Sequence, residues 1–274
     1  MLVLSWREAE QLLGAKGIVR LNIGMDIVDV IREQDSFLFP KHEHLSRQDT
    51  EKIAENKTVC FMLKDNETTK IQLFAQDTNR FYKLYPTADW PTLEISGVRM
   101  HRVTQVTPKK DTEMKIALVS PVEGVCLDTC TGLGYTAIGL VHAGATKVVT
   151  IEKDHNCQDV ARYNPWSQEL FSLNNIERIN GDVSVVIKSM KSNYFNRIIH
   201  DPPSFSLAGE LYSLEFYKQL YRVLKKEGKL FHYTGRPGAV RSSRNLLGEA
   251  SKRLTLAGFH VKRHEDALGV VGVK

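Results

Sequence analysis

Strand-like and helix-like segments alternate through the second half of this chain, from about residue 109 onward. The strand-like segments are short and apolar, and they are 124–128, 147–152, 176–180, 197–201, 228–234 and 260–264. Amphipathic segments lie between them, as at 213–224, where one helical face holds Leu214, Tyr217, Leu220 or Tyr221, and Leu224. This alternation predicts an α/β fold with a doubly wound, mostly parallel sheet and helices on both faces.

Two further segments set the limits of that fold. The last segment, 267–274, follows 260–264 with almost no room for a helix, so we expect it to return as an antiparallel strand. Residues 1–108 instead combine one short helix with alternating β-type segments and turn residues. We therefore predict a small mostly-β accessory domain at 1–108 and an α/β domain at 109–274.

Composition excludes several classes of protein. Hydrophobic residues make up 42% of the 274 residues, and a formal net charge of +5 does not by itself indicate nucleic-acid binding. No run reaches about 18 consecutive apolar residues, so no membrane span is expected, and the first residues lack a leader pattern. The four cysteines form no CxxC pair or metal-ligand set. We expect a cytoplasmic protein without a bound metal.

The segment LDTCTGLGY, 127–135, places two glycines directly after the first strand of the α/β domain. Gly132 and Gly134 let a ligand approach the backbone of a strand–loop–helix turn closely. With Ala137 the spacing also fits G-x-G-x-x-A, a dinucleotide fingerprint. The glycines alone leave open whether a phosphate or a nucleoside lies on the loop.

Three acids at consecutive strand ends favour the nucleoside. Asp128 ends the first strand, where a carboxylate repels a pyrophosphate and suits a cationic or amino-bearing ligand, directly or through water. Glu152 ends the next strand, where it can accept both hydroxyls of a ribose, and Asp182 follows the third, where it can accept an adenine amine. Each acid alone also has a structural explanation, Asp128 as a helix cap and Glu152 and Asp182 as surface charges.

This pattern resembles the class I S-adenosylmethionine-dependent methyltransferases, which carry an acid-x-G-x-G-x-G loop and acids at the ends of strands two and three. Cys130 replaces the first glycine of that loop, as a small packing residue. The resemblance covers about 109–274 and implies a seven-stranded Rossmann-like sheet with S-adenosyl-L-methionine as cofactor. The implied cofactor-binding residues are Asp128, Thr129, Cys130, Gly132, Gly134, Tyr135, Glu152, Lys153, Asp182 and Val183. More narrowly, LDTCTGLGYTAIG, NPWSQELF, HDPPSFSLAGELYS and LFHYTG resemble a group of predicted archaeal methyltransferases.

The segment IIHDPPSF, 198–205, marks a candidate catalytic site at the end of the fourth strand. Asp201 and the carbonyls exposed at Pro202 and Pro203 can accept hydrogen bonds from an amine, Asp201 can also accept a proton, and Phe205 can stack on a planar substrate. The segment resembles the D/N-P-P-aromatic motif of methyltransferases acting on amino groups. Because Ser204 intervenes, it also resembles certain ribosomal RNA methyltransferases that modify ring atoms, so the acceptor atom stays open.

Charge suggests RNA as the acceptor, with protein or a small molecule as alternatives. Residues 218–244 carry a single acid, Glu227, and eight cations: Lys218, Arg222, Lys225, Lys226, Lys229, Arg236, Arg241 and Arg244. Such a cluster predicts phosphate contacts, although a solvated helix face explains it too. We also expect Arg99 and Arg102 to reach the cleft and the β domain to help bind RNA.

Other interpretations remain open. His200 and His232 lie at strand ends, where a packed histidine is more common than a substrate contact, and NPWS, 164–167, reads as a helix–helix turn. A nicotinamide-dependent oxidoreductase would use the glycines but not the Asp-Pro-Pro turn. An aminopropyltransferase would need several acids in its polyamine site, and the end of the fourth strand offers only Asp201. A module that binds the cofactor without catalysis would share the same sequence signals.

Overall fold

The computed structural model describes residues 1–14, 18–40, 43–235 and 245–274. Contacts divide the chain into two compact units. One unit is Met1–Lys109 with Asn156–Glu169, and the other is Lys110–His155 with Leu170–Lys274. Among the described residues, no helix combines the length and the apolar character that crossing a bilayer requires.

The N-terminal unit is a set of small antiparallel sheets, as its alternating segments predict. Its strands are β1 (Leu2–Leu4), β2 (Ile18–Leu21), β3 (Asp26–Asp29), β4 (Ile31–Arg32), β5 (Ser36–Leu38), β6 (His44–Ser46), β7 (Phe61–Lys64), β8 (Glu67–Lys70), β9 (Gln72–Ala75), β10 (Arg80–Tyr85), β11 (Thr92–Ile95) and β12 (Val98–Arg99). Among the described residues of 1–107 the α-helices are α1 (Trp6–Gly14) and α2 (Arg47–Glu55), one more than the sequence predicts. The sheets run β1-β7-β8, β12-β11-β10-β9, β2-β3 and β4-β5-β6.

The second half of the chain alternates strands and helices. The strands are β13 (Val125–Asp128), β14 (Lys147–Glu152), β15 (Ile176–Asn180), β16 (Phe195–His200), β17 (Leu224–Tyr233), β18 (His260–His264) and β19 (Gly269–Val273). The helices are α3 (Pro108–Val119), α4 (Tyr135–His142), α5 (His155–Ala161), α6 (Gln168–Ser172), α7 (Val183–Ser189), α8 (Leu214–Val223) and α9 (Leu246–Leu256). NPWS forms a 3-10 turn between α5 and α6, capped by the Asn164 side chain.

The seven strands of this half form one sheet in the order β15-β14-β13-β16-β17-β19-β18. All neighbours are parallel except that β19 runs antiparallel to both β17 and β18, which confirms the predicted returning strand. In order of appearance this is 3-2-1-4-5-7-6, whereas the dinucleotide-binding fold has the order 3-2-1-4-5-6. The strand order reverses between β13 and β16, so their carboxyl ends border the crevice where such sheets bind ligands.

Apolar side chains cover both faces of this sheet. Ile198 and Leu230 pack in one cluster, while their chain neighbours Ile199 and Phe231 pack in the other, because successive residues of a strand point to opposite faces. Burial on both faces explains why the central strands read as continuous apolar runs. Each such side chain contributes about 1.5–3 kcal/mol on leaving water, and the rigid strands fix the loops at their carboxyl ends.

Candidate active site

The glycine loop, residues 129–135, joins β13 to α4 and is attached to both neighbouring strands. The backbone N–H of Thr129 donates to the carbonyl of Ile199 on β16 over 3.1 Å. The N–H of Thr131 donates to the carbonyl of Ile151 on β14 over 3.0 Å. The loop therefore lies over the carboxyl ends of the three central strands.

Two glycines of this loop serve different purposes. Gly134 has φ +81°, and a Cβ there would lie 2.7 Å from the Leu170 side chain, so only glycine permits this backbone and this packing. Gly132 has φ +51°, but a Cβ there would meet open space. Gly132 therefore presents bare backbone to a volume that a ligand can enter.

Asp128 is fully buried, and both of its carboxylate oxygens accept hydroxyl groups. Oδ1 accepts Thr136 over 3.0 Å and Oδ2 accepts Thr150 over 2.6 Å. Burial raises the pKa of Asp128 to about 7, although the two hydroxyls oppose that rise. Asp128 thus links α4 to β14. The sequence does not predict this link, because threonines that bind a carboxylate occur at no fixed spacing from it.

Glu152 lies beside the open side of the loop. Its Oε2 accepts the N–H of Gly132 over 2.8 Å, and its Oε1 accepts the N–H of Asp154 over 3.0 Å. Burial raises the pKa of Glu152, and these two backbone N–H groups oppose the rise. The carboxylate is thereby held in one orientation, which suits recognition of a pair of hydroxyls.

Asp182 caps α7 and forms an ion pair. Its Oδ1 accepts both the N–H and the hydroxyl of Ser184, and its Oδ2 lies 2.7 Å from Nζ of Lys153. Burial would raise the pKa of Asp182, but the Lys153 and Ser184 contacts outweigh it and lower the pKa. Asp182 is therefore the N-cap of α7 as well as the partner of Lys153, whereas the sequence suggests for it, as an alternative to adenine binding, only a surface charge.

The side chains of the remaining predicted cofactor residues are largely buried, so few of them can contact a ligand. Thr129, Tyr135 and Val183 are buried. Cys130 is half-buried and packs against the core cluster on one sheet face, and burial raises the pKa of its thiol well above the usual value. In this geometry the loop meets a ligand mainly through its backbone.

Asp201 follows the last residue of β16 and is held by a lysine that sequence reasoning missed. Nζ of Lys115 lies 2.6 Å from Oδ2 of Asp201 and 2.6 Å from Oδ2 of Asp111. Asp111 and Lys115 are 1% and 4% exposed, whereas the Asp201 side chain is 21% exposed. Asp111 and Lys115 are four residues apart on α3. This acid–lysine spacing is the feature of the sequence from which their ion pair could have been predicted.

The charges of this cluster shift its ionisation. Burial opposes the charge of Lys115, but the carboxylates of Asp201 and Asp111 outweigh it and raise the pKa of the ammonium group above its usual value. Burial also raises the pKa of Asp201, while Lys115 opposes this rise. The lysine thus stays protonated and favours an ionised Asp201.

The Asp-Pro-Pro turn is stabilised by its own aromatic residues. Pro202 is buried and Pro203 is exposed. The Tyr212 hydroxyl donates to the Pro203 carbonyl over 2.9 Å, and the Phe205 and Tyr212 rings meet edge to face at 5.5 Å. Phe205 is half-buried, so part of its surface serves the fold of the turn and part stays open to solvent.

His200 and His232 are packed inside the sheet, both fully buried. His200 Nε2 meets the Leu211 carbonyl at 3.0 Å, so this nitrogen carries the proton and the Thr129 hydroxyl donates to Nδ1 over 2.7 Å. By the same logic, the Tyr217 hydroxyl donates to Nε2 of His232 over 2.8 Å. Burial lowers the pKa of both histidines, that of His232 to about 4. Both histidines are neutral structural groups, and His200 contacts the glycine loop at Thr129 and the turn after Asp201 at Leu211.

Three carboxylates therefore gather at this edge of the sheet. The charges of Glu152 and Asp201 add to the rise in the pKa of Asp128, so the three groups repel one another. A positively charged ligand would relieve that repulsion. The donor set and the open backbone at Gly132 thus fit S-adenosyl-L-methionine, which carries a sulfonium and an amino group, and do not fit a pyrophosphate.

The predicted basic cluster does not form one surface in the described part of the chain. Arg222 donates to the carbonyls of Ile187 and Met190 at the end of α7. Lys225 binds the side chain of Asn196, at the amino end of the sheet and thus away from Asp201. Arg236, Arg241 and Arg244 lie outside the described residues. Lys218 and Lys226 are exposed, and Lys229 donates to the carbonyl of Ser120 over 2.5 Å.

Arg99 has partners inside the N-terminal unit. Its guanidinium carbon lies 4.1 Å from the centre of the Tyr85 ring, and its Nε lies 3.5 Å from Glu94. Arg102 is half-buried. That either arginine contacts the acceptor remains a prediction.

Comparison with known proteins agrees with this geometry. A sequence profile described as an S-adenosyl-L-methionine-dependent methyltransferase matches residues 169–268. The uncharacterized protein MJ1233 of Methanocaldococcus jannaschii is 47% identical over 245 residues, which are 89% of this chain and 83% of that protein. Among solved structures, spermidine synthase from Thermotoga maritima is 16% identical with a TM-score of 0.54, covering 71% of this chain and 68% of its own. MNMC2 from Aquifex aeolicus is 17% identical with a TM-score of 0.51, covering 70% of each chain.

The sheet order, the carboxylates at the strand ends and the profile match define an S-adenosyl-L-methionine-dependent methyltransferase. Within that class, the chain belongs to the same family as MJ1233. The enzyme accordingly uses S-adenosyl-L-methionine as its methyl donor. The two solved structures share the fold of this chain, and at such low identity the likeness extends no further.

Proposed function

We propose that the enzyme methylates a nitrogen or a ring atom of a planar acceptor, and that this acceptor is RNA. The observation that carries the proposal is Asp201, which stands at the carboxyl end of the central strand β16 with Oδ2 on Lys115 and its side chain 21% exposed. One carboxylate oxygen thus stays available on the side where such sheets bind substrates. Asp201 accepts the acceptor's proton or the hydrogen bond of its amine.

The cosubstrate supplies an electrophilic methyl group on a sulfonium. In our proposal Glu152 binds the ribose hydroxyls, and Asp182 accepts the adenine amine beside its capping contacts. The bare backbone at Gly132 gives the cosubstrate close approach, and Asp128 fixes the loop while contributing negative charge. Thr129, Cys130, Gly134, Tyr135, Lys153 and Val183 shape the same surface, mostly through backbone.

RNA is proposed as the acceptor on narrower grounds. The D-P-P-x-F arrangement resembles that of certain ribosomal RNA methyltransferases, and the half-buried Phe205 keeps part of its ring open for stacking. Arg236, Arg241 and Arg244 follow β17 in the sequence. A group of cations so close in sequence suits phosphate contacts.

A radiolabel experiment tests the proposal. Purified enzyme would be incubated with methyl-tritiated S-adenosyl-L-methionine and, separately, with total RNA, total protein and small metabolites from cells lacking the gene. We expect label in the RNA fraction, lost with Asp201→Asn while cosubstrate binding persists. Label confined to protein or metabolites would refute the RNA acceptor.

The same enzyme would be offered decarboxylated S-adenosylmethionine with a polyamine, because the solved spermidine synthases share this fold. Aminopropyl transfer to the polyamine, without methyl transfer to any of the other fractions, would identify the enzyme as an aminopropyltransferase instead. We expect neither turnover nor tight binding of that analogue, since Asp201 is the one acid at the end of β16 in the described turn.

A further inference from the structure

We infer that Lys115 is a positioning residue for methyl transfer: anchored by Asp111, it holds Oδ2 of Asp201 and leaves Oδ1 of that carboxylate to face the acceptor. The inference rests on the proposed role of Asp201 as proton acceptor. Lys115 lies on α3, outside both the glycine loop and the Asp-Pro-Pro motif.

Geometry separates this cluster from an ordinary surface ion pair. Both Nζ–Oδ2 distances are 2.6 Å, and Asp111 and Lys115 are almost completely buried. Exposed pairs contribute little to stability and vary in geometry, whereas a buried ammonium between two carboxylates has a fixed place. The Tyr233 ring, 4.6 Å from Nζ, adds a cation–π contact from β17.

The three residues of the cluster differ in burial, and this difference favours a role for the cluster at the ligand-binding edge. The two members on α3 are sealed, and only Asp201 reaches solvent, with 21% of its side chain exposed. An ion pair serving only to attach α3 to the sheet has no need of an exposed end. Here the open end is the carboxylate that follows β16, at the ligand-binding edge.

The arrangement suits the proton transfer that the reaction requires. The acceptor's lone pair forms the new bond to carbon, the carbon–sulfur bond breaks with its electrons going to sulfur, and the acceptor's proton passes to Oδ1 of Asp201. The cluster has two carboxylates and one ammonium, so it carries one net negative charge before that step. Lys115 favours the ionised form of Asp201 and fixes its rotation, which lowers the cost of reaching the reactive geometry.

Two variants separate positioning from charge. Asp111→Asn with Lys115→Met keeps the net charge of the cluster but removes the contact on Oδ2 of Asp201. Asp111→Asn alone keeps that contact and removes a repelling carboxylate. Because the ammonium favours ionised Asp201 and Asp111 disfavours it, we expect the double variant to raise the pKa of Asp201 and the single variant to lower it.

The neighbouring groups are the same in both variants. They are Asp128 on β13, Cys130 in the glycine loop, Tyr212 in the 3-10 turn and Tyr233 on β17, and burial raises the pKa of the Cys130 thiol and of the Tyr212 hydroxyl. The opposite shifts can therefore be assigned to Lys115 and Asp111.

The experiment follows the carboxyl carbon of Asp201 by 13C NMR against pH, assigned with Asp201→Asn, and the methyl-transfer rate against pH with the labelled acceptor fraction. The rising limb should move to higher pH in the double variant, with the maximal rate down about tenfold or more, and to lower pH in the single variant. Melting curves and cosubstrate calorimetry check that both variants fold.

A merely structural bridge would lower melting temperatures and leave the pH–rate profile and the maximal rate where they are, even with a shifted carboxyl titration, and that result would overturn the inference. If no fraction accepts a methyl group from the wild type, the proposed acceptor fails by itself. The carboxyl titration then still decides whether Lys115 controls Asp201.

Discussion

The backbone N–H of Gly132 donates to Oε2 of Glu152 over 2.8 Å, so a loop residue with open space around its Cβ position is bound to the carboxylate at the end of the next strand. Loop position and carboxylate orientation are therefore coupled. A ligand that contacts one of these groups also meets the other.

Glu152→Ala should weaken S-adenosyl-L-methionine binding by about tenfold or more, since hydrogen bonds to charged groups contribute about 1.5–3 kcal/mol. Its demethylated product should lose a similar factor, because the ribose is common to both. Calorimetry measures both affinities. Glu177→Ala, at an exposed carboxylate on β15 paired with Lys147, is the control and should bind normally. Equal affinity in wild type and Glu152→Ala would remove Glu152 from the site.

Gly132→Ala should reduce cosubstrate affinity more than it reduces stability. The left-handed backbone costs a non-glycine residue about 1–2 kcal/mol, while the added methyl group enters the volume that the ligand needs. Gly97→Ala is matched to it, since Gly97 also has positive φ and open space around its Cβ but lies between β11 and β12. Both should lower the melting temperature similarly, and only Gly132→Ala should impair binding. Similar affinities in the two variants would contradict a ligand at Gly132.

Asp128 should make the stability of the free enzyme depend on pH. Its pKa rises from 3.8 to about 7 on folding, so the folded state keeps a proton that the unfolded chain releases above about pH 4. The stabilisation from protonated Asp128 is complete below about pH 4 and is lost as the pH rises through about 7. Asp128→Asn should therefore gain melting temperature relative to wild type across this window, whereas Glu177→Gln should track the wild type. A constant difference between Asp128→Asn and wild type would show that Asp128 does not titrate there.

Asp182 can be separated into a capping and a binding function. Asp182→Ala should lower stability by about 1 kcal/mol because α7 loses its N-cap. Asp182→Ser retains a capping oxygen and should melt close to the wild type. Both should lose cosubstrate affinity to the same extent if the carboxylate accepts the adenine amine. Glu177→Ala, at the exposed carboxylate on β15, should bind as well as wild type. Normal binding by Asp182→Ser would show that Asp182 is a helix cap only.

Much of the fold followed from local patterns. Apolar runs of strand length, amphipathic helices and glycine turns depend on near neighbours in the chain, so β14, β15, β18 and the returning β19 could be anticipated within a few residues. The apolar run predicts that β17 starts at 228, but the strand starts at Leu224, because Lys225, Lys226 and Glu227 interrupt the apolar pattern. Positions at strand ends likewise identified Asp128, Glu152, Asp182 and Asp201.

The sequence by itself thus determined the α/β architecture, the glycine loop and the row of acids, since each depends on periodicity or on the residue that ends a strand. Only the tertiary structure decided what those acids touch. Asp128 meets Thr150 across 22 positions, and Asp201 meets Lys115 across 86. Such pairs depend on which strands become neighbours and on how far burial removes water from the charges, and no local spacing encodes either.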